Sequence, residues 1–150
     1  MIPINEYVSV LINARRYSIM NEKSEFYKDD KGYPVLNKKF KGSNVYIYAD
    51  DDILERCMKD MDMVIRTLNK AYPSSFEACC EKLEKSHNIK SSQLKLDSVS
   101  VSPIVQENGL FLYYVIISFN ISSDNTRRFT ITMDIASGSF FEVKWKLVKR

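Results

Sequence analysis

The chain of 150 residues is poor in the residues from which recognisable sites are usually assembled. Its four glycines fall in no G-x-x-x-x-G-K-S/T, G-x-G-x-x-G or G-x-S-x-G run, so the glycine-built phosphate cradles and the nucleophile elbow are excluded. Four prolines and so few glycines also argue against long disordered stretches. The single histidine, His87, makes no recognisable triad or metal ligand set with the adjacent Lys85 and Lys90 and lacks an orienting partner, so it reads as a surface or helix-end residue rather than a catalytic one. Three cysteines, Cys57, Cys79 and Cys80, cannot all pair, and the adjacent two lack C-x-x-C spacing. Reduced thiols are expected, one of the adjacent pair in the core and the other partly exposed. The longest apolar run, Leu110 to Ile117, is far short of the roughly 20 residues that span a bilayer as a helix. The start, Met-Ile-Pro-Ile-Asn-Glu-Tyr, lacks the basic and apolar regions of a secretory leader, and a cytoplasmic protein is expected.

Net charge is small, +3 from 22 basic and 19 acidic residues, which permits a polyanion partner without predicting one. With 45% hydrophobic and 27% charged residues, the composition is that of a soluble globular protein. The length suits one domain over residues 1–150, burying roughly two thirds of the surface its unfolded chain exposes.

What the sequence does have is a dominant strand, Leu110-Phe-Leu-Tyr-Tyr-Val-Ile-Ile-Ser-Phe-Asn-Ile121. Its odd positions are all apolar, and its even ones turn polar towards Ser118 and Asn120, so one face is buried throughout. Strands are expected over about 93–106, 110–122, 127–136 and 139–147, an antiparallel meander. Asn108-Gly109 is the strongest hairpin signal, and a two-residue loop there puts Leu112 opposite Val105 and Ile116 opposite Val101. The next two hairpins need odd loops, of three residues, because only these keep Phe129, Ile131 and Met133 on the face of Ile117, Phe119 and Ile121. Phe141, Val143, Trp145 and Leu147 join that face, and Arg128, Thr130, Thr132, Asp134, Glu142, Lys144 and Lys146 form the solvated one. Leu112, Tyr114, Ile116, Val101 and Val105 then make a second apolar patch, to be covered by the first 48 residues, a second copy or a partner.

Ahead of the sheet, Val45-Tyr-Ile-Tyr48 reads as a strand entering a helix capped at Asp52 with Glu55. Its apolar stripe runs from Leu54 to Tyr72, Pro73 ends it, and Ser74 with Glu77 opens a second helix over about 75–86. Residues 4–16 fit a short helix, although Val8, Val10 and Ile12 also alternate as a strand would. Residues 17–42 fit either short strands or an ordered loop. The fold class is therefore α+β: two consecutive helices on one face of a C-terminal four-stranded antiparallel meander, with an additional N-terminal helix or strand segment.

No complete catalytic, cofactor or metal signature is present. The run Asp50-Asp51-Asp52 lacks the alternate oxygen ligands of a calcium loop and reads as a helix start. Lys38, Lys39 and Lys41 beside Tyr46 and Tyr48 could meet a nucleic-acid backbone, though interspersed acids favour a solvated surface. The strand entering an acid-capped helix, the helix pair and the closing hairpin Phe129-Thr-Ile-Thr-Met-Asp-Ile-Ala-Ser-Gly-Ser-Phe-Phe-Glu-Val143 together resemble small bacterial immunity-type proteins of toxin/immunity systems. None of these elements is a functional motif, so no residue role carries over. The resemblance implies a non-enzymatic protein that occludes a toxin; the strongly acidic surface common where the toxin is a nuclease is missing. Tyr33, Tyr46, Tyr48, Asp50, Asp51 and Asp52 are candidate contacts for a protein partner because such residue types suit interfaces. A homo-oligomer is compatible with this reading. Its alternatives are a basic nucleic-acid-associated module and a small ligand-binding or enzymatic domain with a pocket under the sheet.

Overall fold

The computed structural model describes residues 26–150 except Gly138, so the expected helix over 4–16 lies outside the described residues. The chain divides after Lys38 into two compact units. In the first, strands β1 (Phe26–Lys28) and β2 (Pro34–Leu36) pair antiparallel. Asp29 closes their turn, its carboxylate accepting the N–H groups of Lys31 at 3.0 Å and Tyr33 at 2.8 Å. This is the Asx geometry that lets a short side chain stand in for a backbone turn.

The second unit carries the meander. Its four long strands are β4 (Leu94–Val105), β5 (Phe111–Ile121), β6 (Asp124–Ala136) and β7 (Ser139–Lys149). A further strand, β3 (Val45–Ile47), lies parallel to β4, with Val45 opposite Val99 and Ile47 opposite Val101. The expected four strands are thus too few: the crossover β3–helices–β4 adds a parallel neighbour, and the first unit adds its hairpin.

Two helices bridge β3 and β4, but their boundary is not at Pro73. Helix α1 (Asp51–Lys59) starts after Asp50, with no side-chain cap, and holds Asp51 and Asp52 in its first turn; the capping box expected at Asp52 does not form. The acids still oppose the positive end of the helix. The break comes at Asp60, and α2 (Met61–His87) then runs 27 residues, about 40 Å at 1.5 Å per residue, straight through Pro73. Pro73 and Asn69 are both exposed, so the carbonyl that loses its donor to the proline opens onto solvent. Ser74, expected as a cap, sits inside α2 with its hydroxyl donating to the Ala71 carbonyl at 3.4 Å. The helix ends on Asn88 in the left-handed conformation, φ 57°, whose N–H donates to Glu84.

At the break, Asp60 meets a partner on the central strand. The Tyr113 hydroxyl donates to Asp60 Oδ2 at 2.6 Å, while the Tyr113 ring is fully buried. A second tie comes from the same last turn of α1, where Arg56 Nη2 donates to the Gly109 carbonyl at 2.6 Å and its guanidinium sits 4.4 Å from the centre of the Phe111 ring.

The core is the layer between α1, α2 and the odd face of β5. Phe40, Tyr72, Phe76, Phe119, Phe129, Trp145 and His87 touch in sequence, ring centres 5.1 to 6.1 Å apart, across helix and sheet. Aromatic neighbours at such spacings add directional attraction to area burial. His87 meets this chain edge-on against Trp145 from the last residue of α2. Cys57, Cys79 and Cys80 are free and all buried, so neither adjacent thiol is the partly exposed one expected. Desolvation pushes Cys57 and Cys80 up to about 11.

Register separates what parity can and cannot foresee. Ile117 faces Ile131 and Phe119 faces Phe129, and Ile131 and Phe129 in turn face Trp145 and Leu147, as the odd-loop argument requires. The means differ: only two residues separate Ile121 from Asp124 and Ala136 from Ser139, and a register shift next to each turn restores the faces. The first of these is organised by Asp124, which accepts from Thr126 N–H, Thr126 Oγ1 and Arg127 Nε at 2.6 to 2.9 Å. At Asn108-Gly109 the two-residue loop is wrong. Gln106 N–H donates to the Leu110 carbonyl, Gly109 stands at φ 83°, and Val105 pairs with Phe111, Val101 with Val115. This three-residue loop with a left-handed glycine is another standard use of the same dipeptide. It turns Val99 and Val101 into the core, where both are fully buried.

Two substitutions test this account. Pro73→Ala restores a donor to Asn69 on an exposed helix face and should stabilise the protein by up to about 3 kcal/mol in urea unfolding. Tyr113→Phe leaves the Asp60 carboxylate without its donor and should cost roughly 1.5–3 kcal/mol by the same measurement.

Candidate protein-binding face

The helices cover one face of the sheet, and the even face of β5 points away from them. Backbone pairing sets its rows. One runs Tyr46, Ser100, Ile116, Thr132, Lys144; the next runs Ser102, Tyr114, Asp134, Glu142; the last pairs Ile104 with Leu112. The Tyr48 N–H donates to the Val101 carbonyl at 2.9 Å and continues the β3 ladder, so Tyr48 follows Tyr46 on this face beside Ser102. Towards the β4–β5 hairpin the surface is therefore aromatic and aliphatic: Tyr46, Tyr48, Ile104, Leu112, Tyr114 and Ile116. Tyr48 is 55% exposed and Ile104 46%, while the other four are half-buried. Val105 and Leu110, 53% and 52% exposed, extend the apolar character around the hairpin tip.

The ground between these side chains is small and hydroxylated. Ser118, Thr130 and Thr132 are buried although neither described helix covers this face, and Thr130 Oγ1 donates to the Lys146 carbonyl at 3.3 Å. Short side chains in the middle of a sheet are covered by longer neighbours in adjacent rows, which leaves a low surface with projecting tyrosines at one end.

The expected patch is thus recovered in altered form. Leu112, Tyr114 and Ile116 belong to it; Val101 lies in the core, Val105 follows the other face of β4, and Ile104 takes their place. Ile104 is the residue sequence reasoning missed, and the signal for it was the match of Val99 and Val101 to the odd face of β5. Of the six candidate contacts, Tyr46 and Tyr48 come together here. Asp50, Asp51 and Asp52 leave β3 for the start of α1, and Tyr33 lies in the first unit.

The basic candidates do not gather in the same way. Lys39 and Lys41, in the second unit, line a polar hollow of about 320 Å³ with Ser43, Asn44 and Asp97, and the Lys41 ammonium lies 5.7 Å from the centre of the Tyr72 ring. Lys38 ends the first unit. On the sheet, Arg127 pairs with Asp124 at 2.7 Å, Arg128 approaches Asp97 at 3.9 Å, and Lys144 approaches Glu142 at 3.9 Å. Asn120 Nδ2 also donates to Asp97 at 3.3 Å. Such pairing divides positive charge into separate points rather than a continuous track. An open hollow of about 900 Å³ runs along α2 past Phe76, Cys80, Glu77, Glu81 and Glu84 to Ser91.

Among the described residues no group of three or more His, Cys, Asp or Glu side chains could hold a metal ion, and no helix is long and apolar enough to cross a membrane. No family model, curated protein or solved structure matches the chain.

Asp124 offers a check on the electrostatics. Hydrogen bonds from Thr126 and Arg127 hold its carboxyl down at about 2, below its ordinary 3.8. A depressed carboxylate stabilises the fold above the unfolded value and stops doing so as pH falls through the folded one. The thermal midpoint of Asp124→Asn should therefore trail that of the native chain at pH 5, and the gap should close between pH 4 and pH 2.

Proposed function

We propose that the chain is a non-enzymatic protein-binding module that works by occlusion, using the face of its sheet opposite α1 and α2. The observation that carries this reading is the cluster Tyr46, Tyr48, Ile104, Leu112, Tyr114 and Ile116, held on rigid paired strands beside small hydroxyl residues. Tyrosines present large contact area at low conformational cost, and a preformed backbone needs little ordering when a partner arrives. A partner laid on this face covers half-buried apolar side chains whose positions are already fixed.

The partner we propose is a toxin domain, with the chain as its bacterial, cytoplasmic immunity protein. Support for that class comes from the resemblance of the strand–helix-pair–hairpin arrangement alone. Blocking a partner's active site requires a stiff surface and no chemistry of its own, which suits a sheet face that offers side chains for contact.

The test is affinity capture of the tagged full chain from its native cells at moderate salt after nuclease treatment. One stoichiometric protein should be recovered by the native chain and lost with Tyr114→Glu, whose half-exposed position leaves the core untouched. Recovery of the same protein by both chains would remove this face from the interaction; loss of capture after nuclease treatment alone would favour nucleic acid.

A further inference from the structure

The outer edge of the sheet carries a separate feature. β7 ends the strand order, and among the described residues nothing pairs with its far side. An unpaired strand offers a row of backbone donors and acceptors to any strand that can lie beside it. Exposed edges are commonly made short, interrupted by proline or a bulge, or given lysines and inward-pointing charges. β7 has one bulge and, on its outer side, Glu142, Lys144 and Lys146, but it is 11 residues long, has no proline, and holds no charge at its core-side positions between 143 and 147, which are Val143, Trp145 and Leu147. All three remain half-exposed, so the helical layer does not fully cover this margin of the core.

We propose that a second copy of this chain pairs with β7 antiparallel, joining two sheets into one across a two-fold axis. The order of charged and apolar residues along the strand supports a copy of itself as the occupant. With the 11 residues fully overlapped, the axis passes through Lys144. Val143 then lies opposite Trp145 of the second copy, and Glu142 opposite its Lys146. By symmetry each contact occurs twice, which gives two apolar pairs on the core side and two opposite-charge pairs on the other. Lys144 meets its own copy, but it already has Glu142 of its own chain at 3.9 Å. Sliding the copies until Trp145 sits on the axis would instead set Lys144 against Lys146 twice, so the charges select the overlapped register. The edge borders the face of Tyr46 and Tyr114, whose rows end at Lys144 and Glu142, and a dimer formed here leaves the tyrosine end of that face, on β3 to β5, open on both copies.

Sedimentation equilibrium of the full chain tests the inference, because Glu142 and Lys146 are exposed and can be changed without touching the core. The native chain should be dimeric. Glu142→Lys and Lys146→Glu each replace two attractions by two repulsions and should each weaken the dimer by about tenfold or more. The double variant, with the charges exchanged, should recover native affinity. A native chain that stays monomeric up to its solubility limit overturns the proposal, including the case in which Glu142→Lys abolishes capture of a different protein. A dimer indifferent to either single variant, or one the double variant fails to restore, places the second copy elsewhere and overturns it equally.

Discussion

The hydroxyl of Tyr113 meeting the carboxylate of Asp60 is the contact from which the second unit is laid out. It joins the middle of the most buried strand to the point where the helical run breaks, across 53 residues of sequence. Burial and this hydrogen bond together push the Tyr113 phenol far above its ordinary value, so it stays a donor at any pH the protein meets. With the junction fixed there, Arg56 reaches the Gly109 carbonyl at the hairpin, while α2 passes Phe76 over Phe119 and closes on Trp145 through His87. A polar contact at the centre of an otherwise apolar layer sets direction more than it adds energy: unlike packing alone, it is satisfied in one arrangement.

Much of this was open to reading from pattern. The alternation in Phe111–Ile121 identifies the central strand and its covered face, and the parity of Phe129, Ile131 and Met133 identifies the faces of β6 and β7. These are local facts repeated over many residues. The failures each turn on a single distant or ambiguous one. The helix breaks within a continuous apolar stripe at Asp60, whose partner Tyr113 lies in no helical window. Pro73 fails to stop α2 because Asn69 faces outward, a matter of rotation about the helix axis. Asn108-Gly109 serves loops of either parity, and only the burial of Val99 and Val101 decides between them. Val45 to Tyr48 reads as a strand, and Val45–Ile47 forms one, but so short a segment carries no mark of parallel pairing.

The candidate face divides along the same line. Tyr46, Tyr48, Leu112, Tyr114 and Ile116 were identifiable from residue type and alternation within their own strands. Their grouping was not, since it depends on β3 aligning with β4 and on the true register of β4 with β5. An error of one residue in that hairpin exchanges Val101 for Ile104 and moves the apolar ground from the centre of the face towards the hairpin tip.

The bulge in β4 between Leu96 and Ser98 has a further meaning. Without Asp97 the strand would read Leu-Lys-Leu-Ser-Val-Ser-Val, an unbroken alternation with each aliphatic residue already on its observed side. Asp97 is thus an insertion that the finished sheet accommodates, one residue more than its hydrophobic pattern needs. Its side chain is what the insertion adds, a carboxylate set beside Asn120 and Arg128 at a place where regular pairing would have supplied none.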